Sequence, residues 1–340
     1  MKILSVIIPV YNGEEFIFKC YESISKCLLD EVEFLFIDDG SNDKSKELIS
    51  ECIAKDDRLT YYYQKNQGVS AARNYGMSLA KGKYISFLDI DDSFEPTFYS
   101  DLLYEIKEHN SDLVIGSFKK DTGQRLILEN LNFDIDTDYY INDSFMSKYI
   151  LNENTGSPWN KIYKREVIEN HKLKFDENIT IGEDYLFNLM YLSKSNKVRY
   201  IEKSSYIYNV RNNSAMTSYK VSKFDNYIDL HTKCLRILDD CNQQFIKYQR
   251  CRLLTWINNC LIDEINLNHS KIKKSNILNI LNNEEVIKNC FELMNYTNEL
   301  SLKSRIVINL VNTKSYYLVY GYIKGRNLLL NLKSILYSIK

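Results

Sequence analysis

The first third of the chain alternates short apolar runs with segments of helical periodicity, and this alternation restricts the fold more than any other feature. The apolar runs have the length of buried strands, and apolar residues recur at helical spacing between them. We predict strands at 3–10, 33–37, 59–64, 84–88 and 113–117, and helices at 14–29, 44–54, 69–80 and 95–109. Because such strands are joined by right-handed crossovers, the sequence predicts an α/β domain with a mainly parallel sheet, flanked by helices on both faces.

The remainder of the chain changes character twice. Between about residues 118 and 215 the pattern loosens into turns, short strands and two helices, one of which begins near Glu183. From about residue 221 onward, apolar residues repeat at helical spacing without any proline. With a boundary near 218–222, we therefore predict an α/β domain at 1–220 and a helical C-terminal region at 221–340.

Charge and cysteine content exclude several classes of protein. The 340 residues include 44 Lys and Arg against 45 Asp and Glu, so the net charge is −1. A dedicated nucleic-acid-binding protein would carry an excess of basic residues, and an acidic disordered protein would carry an excess of acidic ones. The near-neutral charge argues against both classes. The eight cysteines are scattered without a Cys-x-x-Cys pair, which favours free thiols over a zinc site. We expect a cytoplasmic protein, without a signal peptide or a membrane-spanning segment.

The last 40 residues depart from this balance. Residues 301–340 contain no Asp or Glu and seven basic residues, namely Lys303, Arg305, Lys314, Lys324, Arg326, Lys333 and Lys340. A basic amphipathic helix with aromatic side chains can lie on an anionic membrane, here the inner face of the cell membrane. The alternative is an ordinary helix that packs on the domain or on another subunit of a homo-oligomer.

Acidic residues follow the predicted strands at the edge where open parallel sheets bind ligands. The second and fourth strands lead into Asp38, Asp39, Asp89, Asp91 and Asp92. Carboxylates that converge are costly unless a cation or hydrogen-bond donors compensate them, and an Asp-x-Asp pair suits Mg²⁺ or Mn²⁺. Neither a dinucleotide glycine fingerprint nor a P-loop is present. The alternative is that each Asp only caps a helix or turns the chain.

Seven segments, taken in order, resemble family 2 glycosyltransferases, which have the GT-A fold. The first four are VIIPVYNGEEFI, FIDDGSND, NQGVSAARNYGM and YISFLDIDD, and the later SPWNKIYKREVI, GEDYLFNLMY and YIYNVRNNSAMT resemble the bacterial polysaccharide-synthesising branch. The resemblance covers residues 1 to about 217 and none of the C-terminal region. It implies a GT-A-type, Rossmann-like domain.

The resemblance also implies roles for individual residues. A nucleotide-sugar site, for UDP in the first place, would include Pro9, Tyr11, Asp39, Arg73, Asp89, Arg211 and Ser214. Mn²⁺ or Mg²⁺ would be held by Asp91, with Asp89 as a second ligand or a ribose contact. Asp184 matches the catalytic base and lies beside Glu183, although acids in a first helical turn can also be merely solvated. Trp159 and Asn160 would line the sugar or acceptor pocket, with a core position for Trp159 as the alternative.

The implied reaction is inverting, metal-dependent transfer of a hexosyl or N-acetylhexosaminyl group from a UDP-sugar. The acceptor would be a saccharide or lipid-linked oligosaccharide in the synthesis of a capsule or similar surface polysaccharide. A carboxylate base would take the proton of the acceptor hydroxyl as it attacks, which is typically worth about 10²–10⁴-fold. Two alternatives are a sugar nucleotidyltransferase, which would need a phosphate-binding loop after the first strand, and a catalytically silent scaffold or membrane-recruiting subunit.

Overall fold

The structure is a computed structural model, and it describes residues 2–129, 131, 133–134, 137–210, 223–239, 241–266 and 270–338. The chain divides into two compact units, residues 1–218 and 219–340. None of the eight cysteines forms a disulfide. Each unit has its own core and is described separately.

The first unit is built on one sheet that contains all five predicted strands. Its strands are β1 (Leu4–Val10), β2 (Val32–Asp39), β3 (Leu59–Gln64), β4 (Tyr84–Phe87), β5 (Ser93–Phe94), β6 (Leu113–Asp121), β7 (Leu126–Leu128), β8 (Thr137–Tyr140), β9 (Lys161–Lys164) and β10 (Lys197–Asn209). The main path through the sheet has the order β3-β2-β1-β4-β9-β6-β10-β5, with β7 paired to β6 and β8 to β10. The first four strands are mutually parallel, which agrees with the alternating sequence pattern.

The centre of the sheet adds a feature that the sequence did not predict. The short strand β9 lies between β4 and β6 and is antiparallel to both. Strands β5, β7 and β8 are also antiparallel to their neighbours, whereas β10 is parallel to β6. The sheet as a whole is therefore mixed. Strands of two to four residues are too short for a two-residue hydrophobic period to stand out from the surrounding loops.

The helices of the first unit cover the sheet and position the candidate site. They are α1 (Ile17–Ser25), α2 (Ser45–Ile53), α3 (Val69–Leu79), α4 (Phe98–Glu108), α5 (Asp143–Leu151), α6 (Arg165–Asn170) and α7 (Glu183–Leu192). Helix α1 begins later than predicted because the Glu14 N–H donates to the Asp43 carboxylate, and residues 14–16 form a turn before the helix. Helix α7 begins at Glu183, as predicted.

Helix α3 packs directly on β1 and β2, and a glycine makes this close approach feasible. A Cβ atom on Gly76 would lie 2.4 Å from Cγ2 of Ile7, a buried residue of β1. Arg73 lies one turn earlier on the same helix. The packing of α3 against the sheet thus fixes the position of the Arg73 backbone.

The second unit is helical in its described part, which confirms the predicted helical C-terminal region. It consists of α8 (Lys223–Asp239), α9 (Gln243–Asn266), α10 (Ser270–Asn282), α11 (Glu284–Leu293), α12 (Leu302–Thr313) and α13 (Tyr316–Ser338). Helix α9 is central and packs against each of the other five. Among the helices that the structure describes, none combines the length and the apolar character needed to cross a bilayer.

Candidate active site

The loops after three neighbouring strands meet at one edge of the sheet. Strands β2, β1 and β4 are adjacent and parallel, so the segments that follow them leave from the same side. Pro9 is half-buried within β1, and the side chain of Tyr11, just beyond β1, is exposed. The predicted nucleotide turn and the predicted Asp-x-Asp pair therefore follow adjacent strands.

Three of the aspartates at this edge, Asp38, Asp92 and Asp39, are held by donors of the neighbouring loops and strands. Asp38 accepts hydrogen bonds from Tyr61 Oη at 2.7 Å and from the Ser41 N–H at 2.8 Å. Asp92 is buried and accepts from Tyr206 Oη at 2.9 Å and from the Asn209 N–H at 2.8 Å. Burial, with the neighbouring Asp89 carboxylate adding to its effect, raises the pKa of Asp92. The carboxylates of Asp38 and Asp92 therefore organise the loops through hydrogen bonds within the chain. The sequence alone could not distinguish such aspartates from cation ligands.

Asp39 is the third of these aspartates, and it shapes the loop before α3. Its buried carboxylate accepts from the Gln67 N–H at 2.9 Å, from the Gly68 N–H at 2.7 Å and from Gln64 Nε2 at 2.7 Å. Gly68 has a φ of 91°, a conformation that favours glycine, and α3 begins at the next residue. Asp39 thus holds the entry to the helix that carries Arg73. Its predicted contact with the nucleotide stays a prediction.

Arg73 is the centre of the site. It is only 3% exposed, and its guanidinium bonds carboxylates from two other segments of the chain. Nη1 donates to Asp184 Oδ1 at 2.6 Å and to Glu183 Oε1 at 3.4 Å, and Nη2 donates to Asp89 Oδ1 at 3.1 Å. The guanidinium also lies over the ring of Phe175, 5.3 Å from its centroid. One buried cation therefore joins the Asp-x-Asp loop to the start of α7.

The three carboxylates around Arg73 reach solvent, although the arginine does not. The side chains of Asp89 and Asp184 are 29% and 28% exposed, and that of Glu183 is 12% exposed. Part of the charge of this cluster is therefore accessible to a ligand that approaches from solvent. The Nε of Arg73 is buried and has no hydrogen-bond partner among the described residues.

The acids at the start of α7 are ion-paired, so they are more than a solvated first turn. Helix α7 follows Gly182, whose φ is 89°, and the Asp184 carbonyl accepts from Asn188 Nδ2 at 3.0 Å. Partial burial raises the pKa of the Asp184 carboxyl; Arg73 opposes this effect, and Glu183 and Asp89 add to it. A carboxylate with a raised pKa is a better proton acceptor than an ordinary one, which suits a general base.

The predicted pocket residues Trp159 and Asn160 are buried. The Trp159 ring stacks on Tyr206 with centroids 4.3 Å apart and meets the edge of Phe118 at 4.8 Å. Asn160 Nδ2 donates to the Gly116 carbonyl at 2.8 Å, and its Oδ1 accepts from Lys161. The core position that the sequence left open for Trp159 agrees with this packing. A pocket role for either residue stays a prediction, and it would require these partners to move.

Sequence reasoning missed the adjacent Lys161. Its side chain is fully buried, and Nζ donates to the Ser157 carbonyl and, at 2.8 Å, to Asn160 Oδ1. Burial lowers the pKa of Lys161 to about 7. The SPWNK motif contains this lysine directly after the tryptophan and the asparagine. Burial of a lysine, however, is not visible in a sequence.

Arg211 and Ser214, which the resemblance places in the nucleotide-sugar site, lie outside the described residues. The strand that leads to them is nevertheless tied to the Asp-x-Asp loop. Asn209, the last residue of β10, donates from Nδ2 to the Asp91 carbonyl at 2.6 Å and from its N–H to Asp92. The end of β10 therefore lies beside Asp91.

The Asp-x-Asp pair offers the type of ligand atom that a hard divalent cation prefers. Asp89 and Asp91 offer carboxylate oxygens, which Mg²⁺ and Mn²⁺ prefer over nitrogen and sulfur. Within the described part of the chain, no three His, Cys, Asp or Glu side chains are grouped so that they could enclose a metal by themselves. One or two carboxylates supplemented by the phosphates of a substrate are a common arrangement for such cations. The residues therefore fit a cation that is shared with a bound diphosphate.

Comparisons with known proteins find one matching family model and several similar proteins. The sequence model described as glycosyl transferase family 2 matches residues 5–172. The Bacillus subtilis protein named "Putative glycosyltransferase EpsH" is 30% identical over 247 residues, 71% of this chain and 70% of EpsH. The minor teichoic acid biosynthesis protein GgaB of the same organism is 28% identical over 268 residues, 74% of this chain but 29% of GgaB.

A solved structure has the same fold over almost the whole chain. The structure of residues 1–349 of S. aureus TarS in complex with UDP superimposes with a TM-score of 0.71 at 19% identity. The match covers 96% of this chain and 92% of that one, so it includes the helical C-terminal region. At this identity the likeness concerns the fold alone.

Proposed function

The chain belongs to glycosyltransferase family 2, and from this premise we propose that it transfers a sugar, with inversion, from a UDP-sugar to a saccharide acceptor. The observation that carries the proposal is the cluster around Arg73. In this cluster, the candidate base Asp184 accepts a hydrogen bond from Nη1 of Arg73, and the Asp-x-Asp residue Asp89 accepts one from Nη2. A glycosyl transfer requires these two functions, proton removal and diphosphate binding, to lie within reach of the same anomeric carbon.

UDP as the nucleotide is supported by two lines of evidence. The motif resemblance points to UDP, and the TarS structures with the same fold contain UDP in one case and UDP-GlcNAc in another. We propose a hexosyl or N-acetylhexosaminyl donor. Pro9, Tyr11 and Asp39 are the proposed contacts for the nucleoside, with Arg211 and Ser214 near the diphosphate.

The base step follows from the chemistry of the acceptor. A sugar hydroxyl is a weak nucleophile, so Asp184 would accept its proton as the oxygen attacks the anomeric carbon. Attack from the face opposite the diphosphate gives inversion in one step and needs no covalent intermediate. The bond from Arg73 holds Asp184 in a fixed orientation, and Glu183 beside it is held by the same cation. Fixed orientation of the base is itself a contribution to the rate.

Asp91 and Asp89 are the proposed ligands of Mn²⁺ or Mg²⁺. When bound, the cation would supply positive charge that stabilises the departing diphosphate. Asp89 has Arg73 as a partner on one oxygen, which limits the repulsion between the two aspartates before the cation binds.

The acceptor class is inferred from relatives. GgaB is named for teichoic acid biosynthesis, and the motifs after residue 156 resemble the polysaccharide-synthesising branch. We propose that the acceptor is a saccharide, carried on a lipid, in the synthesis of a bacterial surface polymer.

A donor screen tests the proposal. Purified full-length protein is supplied with a panel of UDP-, GDP- and CMP-sugars in the presence of Mn²⁺, and release of the nucleotide is measured. We expect release of UDP from one UDP-sugar, and its loss in Asp184→Asn. Release of GDP or CMP instead would refute the UDP assignment, and equal release by the variant would refute the role of Asp184.

A further inference from the structure

We infer that the outer face of α13 docks on an anionic lipid surface. This face is defined by the exposed residues Tyr317, Leu318, Leu328 and Leu329, with Gly321, Lys324 and Gly325 between them. The inference goes beyond the proposed function, because it makes no use of a donor or an acceptor. It rests on four observations within the helical unit.

The first observation is that α13 has two distinct faces. Val319 and Ile323 are buried, and α13 packs through this side against α9 and α10. At about 100° of rotation per residue, Tyr317, Lys324 and Leu328 lie within about 40° of one another on the opposite side. Leu318 and Leu329 lie together on one side of them, about 100–120° round the helix from Tyr317. The outer face is therefore continuous over three turns of helix.

The second observation is the apolar character of this outer face. Tyr317 is 74% exposed, and Leu328 and Leu329 are 62% and 64% exposed. Single exposed apolar residues are common on soluble proteins, but four on one helix face form a patch. A Cβ atom added to Gly321 or Gly325 would meet no atom within 4 Å, so the space over this face is open.

The third observation is the charge around the patch. Residues 301–340 contain seven basic residues and no acidic residue. Lys303, Arg305, Lys314, Lys324 and Arg326 are all exposed. Helix α10, which packs on α13, contributes Lys274 beside Tyr317 and has no acidic residue in its sequence. An anionic lipid surface complements this charge, whereas the same face of a second copy would repel it.

The fourth observation is the placement of aromatic rings next to cations. Lys274 Nζ of α10 lies 5.9 Å from the ring centroid of Tyr316 and 5.4 Å from that of Tyr317. Lys324 Nζ lies 5.7 Å from the ring of Tyr320. Tyrosines and lysines with an apolar body and a polar tip are suited to the headgroup level of a bilayer. The apolar residues would enter the acyl boundary while the cations stay at the phosphates.

Vesicle sedimentation of the full-length protein tests the inference. We compare vesicles of phosphatidylcholine alone with vesicles of phosphatidylcholine and phosphatidylglycerol in equal parts, without any substrate. The protein should bind the anionic vesicles at least about tenfold more tightly, and added salt should weaken this binding. Lys324→Gln should weaken it about fivefold, since one cation near the surface is worth roughly that factor.

The apolar contribution has a matched control. Leu328→Gln with Leu329→Gln should weaken vesicle binding by about tenfold or more, because two leucines no longer enter the bilayer. Leu126→Gln with Leu128→Gln, which changes two exposed leucines of β7, should leave it unchanged. Thermal unfolding checks that each variant is folded. If the Leu328 and Leu329 variant is unstable, Tyr317→Ser with Leu318→Gln replaces it.

Three outcomes would overturn the inference. The first is equal binding of the wild type to neutral and anionic vesicles, or no binding to either. The second is wild-type affinity in the α13 variants. The third is self-association in solution, seen by light scattering and lost in the Leu328 and Leu329 variant, without vesicle binding, which would assign the face to a second copy of the chain.

Discussion

At the scale of single residues, one buried arginine determines how the candidate site is arranged. The Arg73 guanidinium has a planar fork of donors, and it uses both Nη atoms to hold carboxylates from the loop after β4 and from α7. Without it, three acidic side chains would lie close together with no compensating charge, and like charges at such distances disfavour one another's ionised form. Arg73 thus positions the base and the Asp-x-Asp loop relative to each other.

Replacement of Arg73 by lysine tests whether the positive charge alone is sufficient, or whether the planar guanidinium is needed to position the base. A lysine keeps the positive charge but cannot bond both Asp184 and Asp89 with a planar fork. We expect turnover to fall by about 10–100-fold, with the free energy of unfolding reduced by about 1–3 kcal/mol. Steady-state UDP release and chemical denaturation measure the two effects. Wild-type turnover in Arg73→Lys would mean that the fork does not position the base.

Replacement of Asp184 by asparagine tests the base directly. Asparagine has nearly the same shape but accepts no proton, so transfer should fall by about 10²-fold or more while UDP binding stays within about twofold of wild type. Transfer to a saccharide acceptor and calorimetric UDP titration provide the two readouts. Substantial residual transfer would place the base on another residue.

Replacement of Asp91 by alanine tests the cation site. If Asp91 is a ligand, the tightening of UDP binding by Mn²⁺ should be lost or reduced by about tenfold or more. Calorimetric titration of UDP with and without Mn²⁺ measures this. Asp57→Ala removes an exposed aspartate remote in sequence from the site and serves as the matched control. The same dependence on Mn²⁺ in both variants would exclude Asp91 as a ligand.

At the scale of elements, the site depends on how closely α3 approaches the sheet. Gly76 allows the helix to lie against Ile7 of β1, and the buried Arg73 follows from that position. The loop that leads into α3 is held from the other side, by three hydrogen bonds to Asp39. Packing and loop geometry therefore set the position of a side chain that chemistry alone would leave on the surface.

A glycine-to-alanine pair tests this packing. Gly76→Ala would put a Cβ atom 2.4 Å from Ile7, so we expect a loss of about 1–3 kcal/mol in the free energy of unfolding, together with reduced turnover. Gly321→Ala in α13 meets open space and should instead stabilise its helix by about 0.5–1 kcal/mol. Urea unfolding of both variants measures the contrast. Equal changes in the free energy of unfolding for Gly76→Ala and Gly321→Ala would show that helix propensity outweighs the packing of α3 on the sheet.

At the scale of the whole molecule, the chain has two units, and a buried histidine makes the stability of the helical unit depend on pH. In the helical unit, His231 is fully buried; its Nδ1 lies 3.4 Å from Gln249 Nε2, and its Nε2 lies 4.0 Å from Glu285. Burial, together with repulsion from Arg250 and Lys288, lowers the pKa of His231 from 6.5 to about 3. The folded unit therefore holds this histidine neutral where the unfolded chain would protonate it.

The sign of the pH effect follows from this difference. Above pH 6.5 both states are neutral and His231 contributes no pH dependence, whereas below it the unfolded state binds a proton that the folded state does not. The helical unit should therefore lose stability as the pH falls from 6.5, by about 2 kcal/mol at pH 5. Urea unfolding at both pH values, followed by the fluorescence of Trp256, measures the loss. His231→Gln should remove most of it, and an unchanged slope in that variant would assign the effect to other groups.

The sequence by itself determined the features that depend on local pattern. Strands β1 to β4 and β6, the helices between them, the start of α7 at Glu183 and the helical second unit all follow from hydrophobic periodicity and turn residues. The placement of Asp89 and Asp91 at the ligand-binding edge follows from the topology that this alternation imposes. The motif resemblance correctly identified the family.

Only the tertiary structure decided which residues meet. The pairing of Arg73 with Asp184, residues 111 positions apart, is invisible in a local pattern because it depends on the packing of α3 and the insertion of β9. The same holds for the burial of Lys161 and Trp159, and for the hydrogen bonds that satisfy Asp38 and Asp92. The sequence revealed a basic tail, but the exposure of its apolar face depends on which side of α13 packs against α9 and α10. Hydrophobic periodicity in the sequence indicates whether a segment forms a helix or a strand, whereas tertiary packing determines which distant residues it contacts.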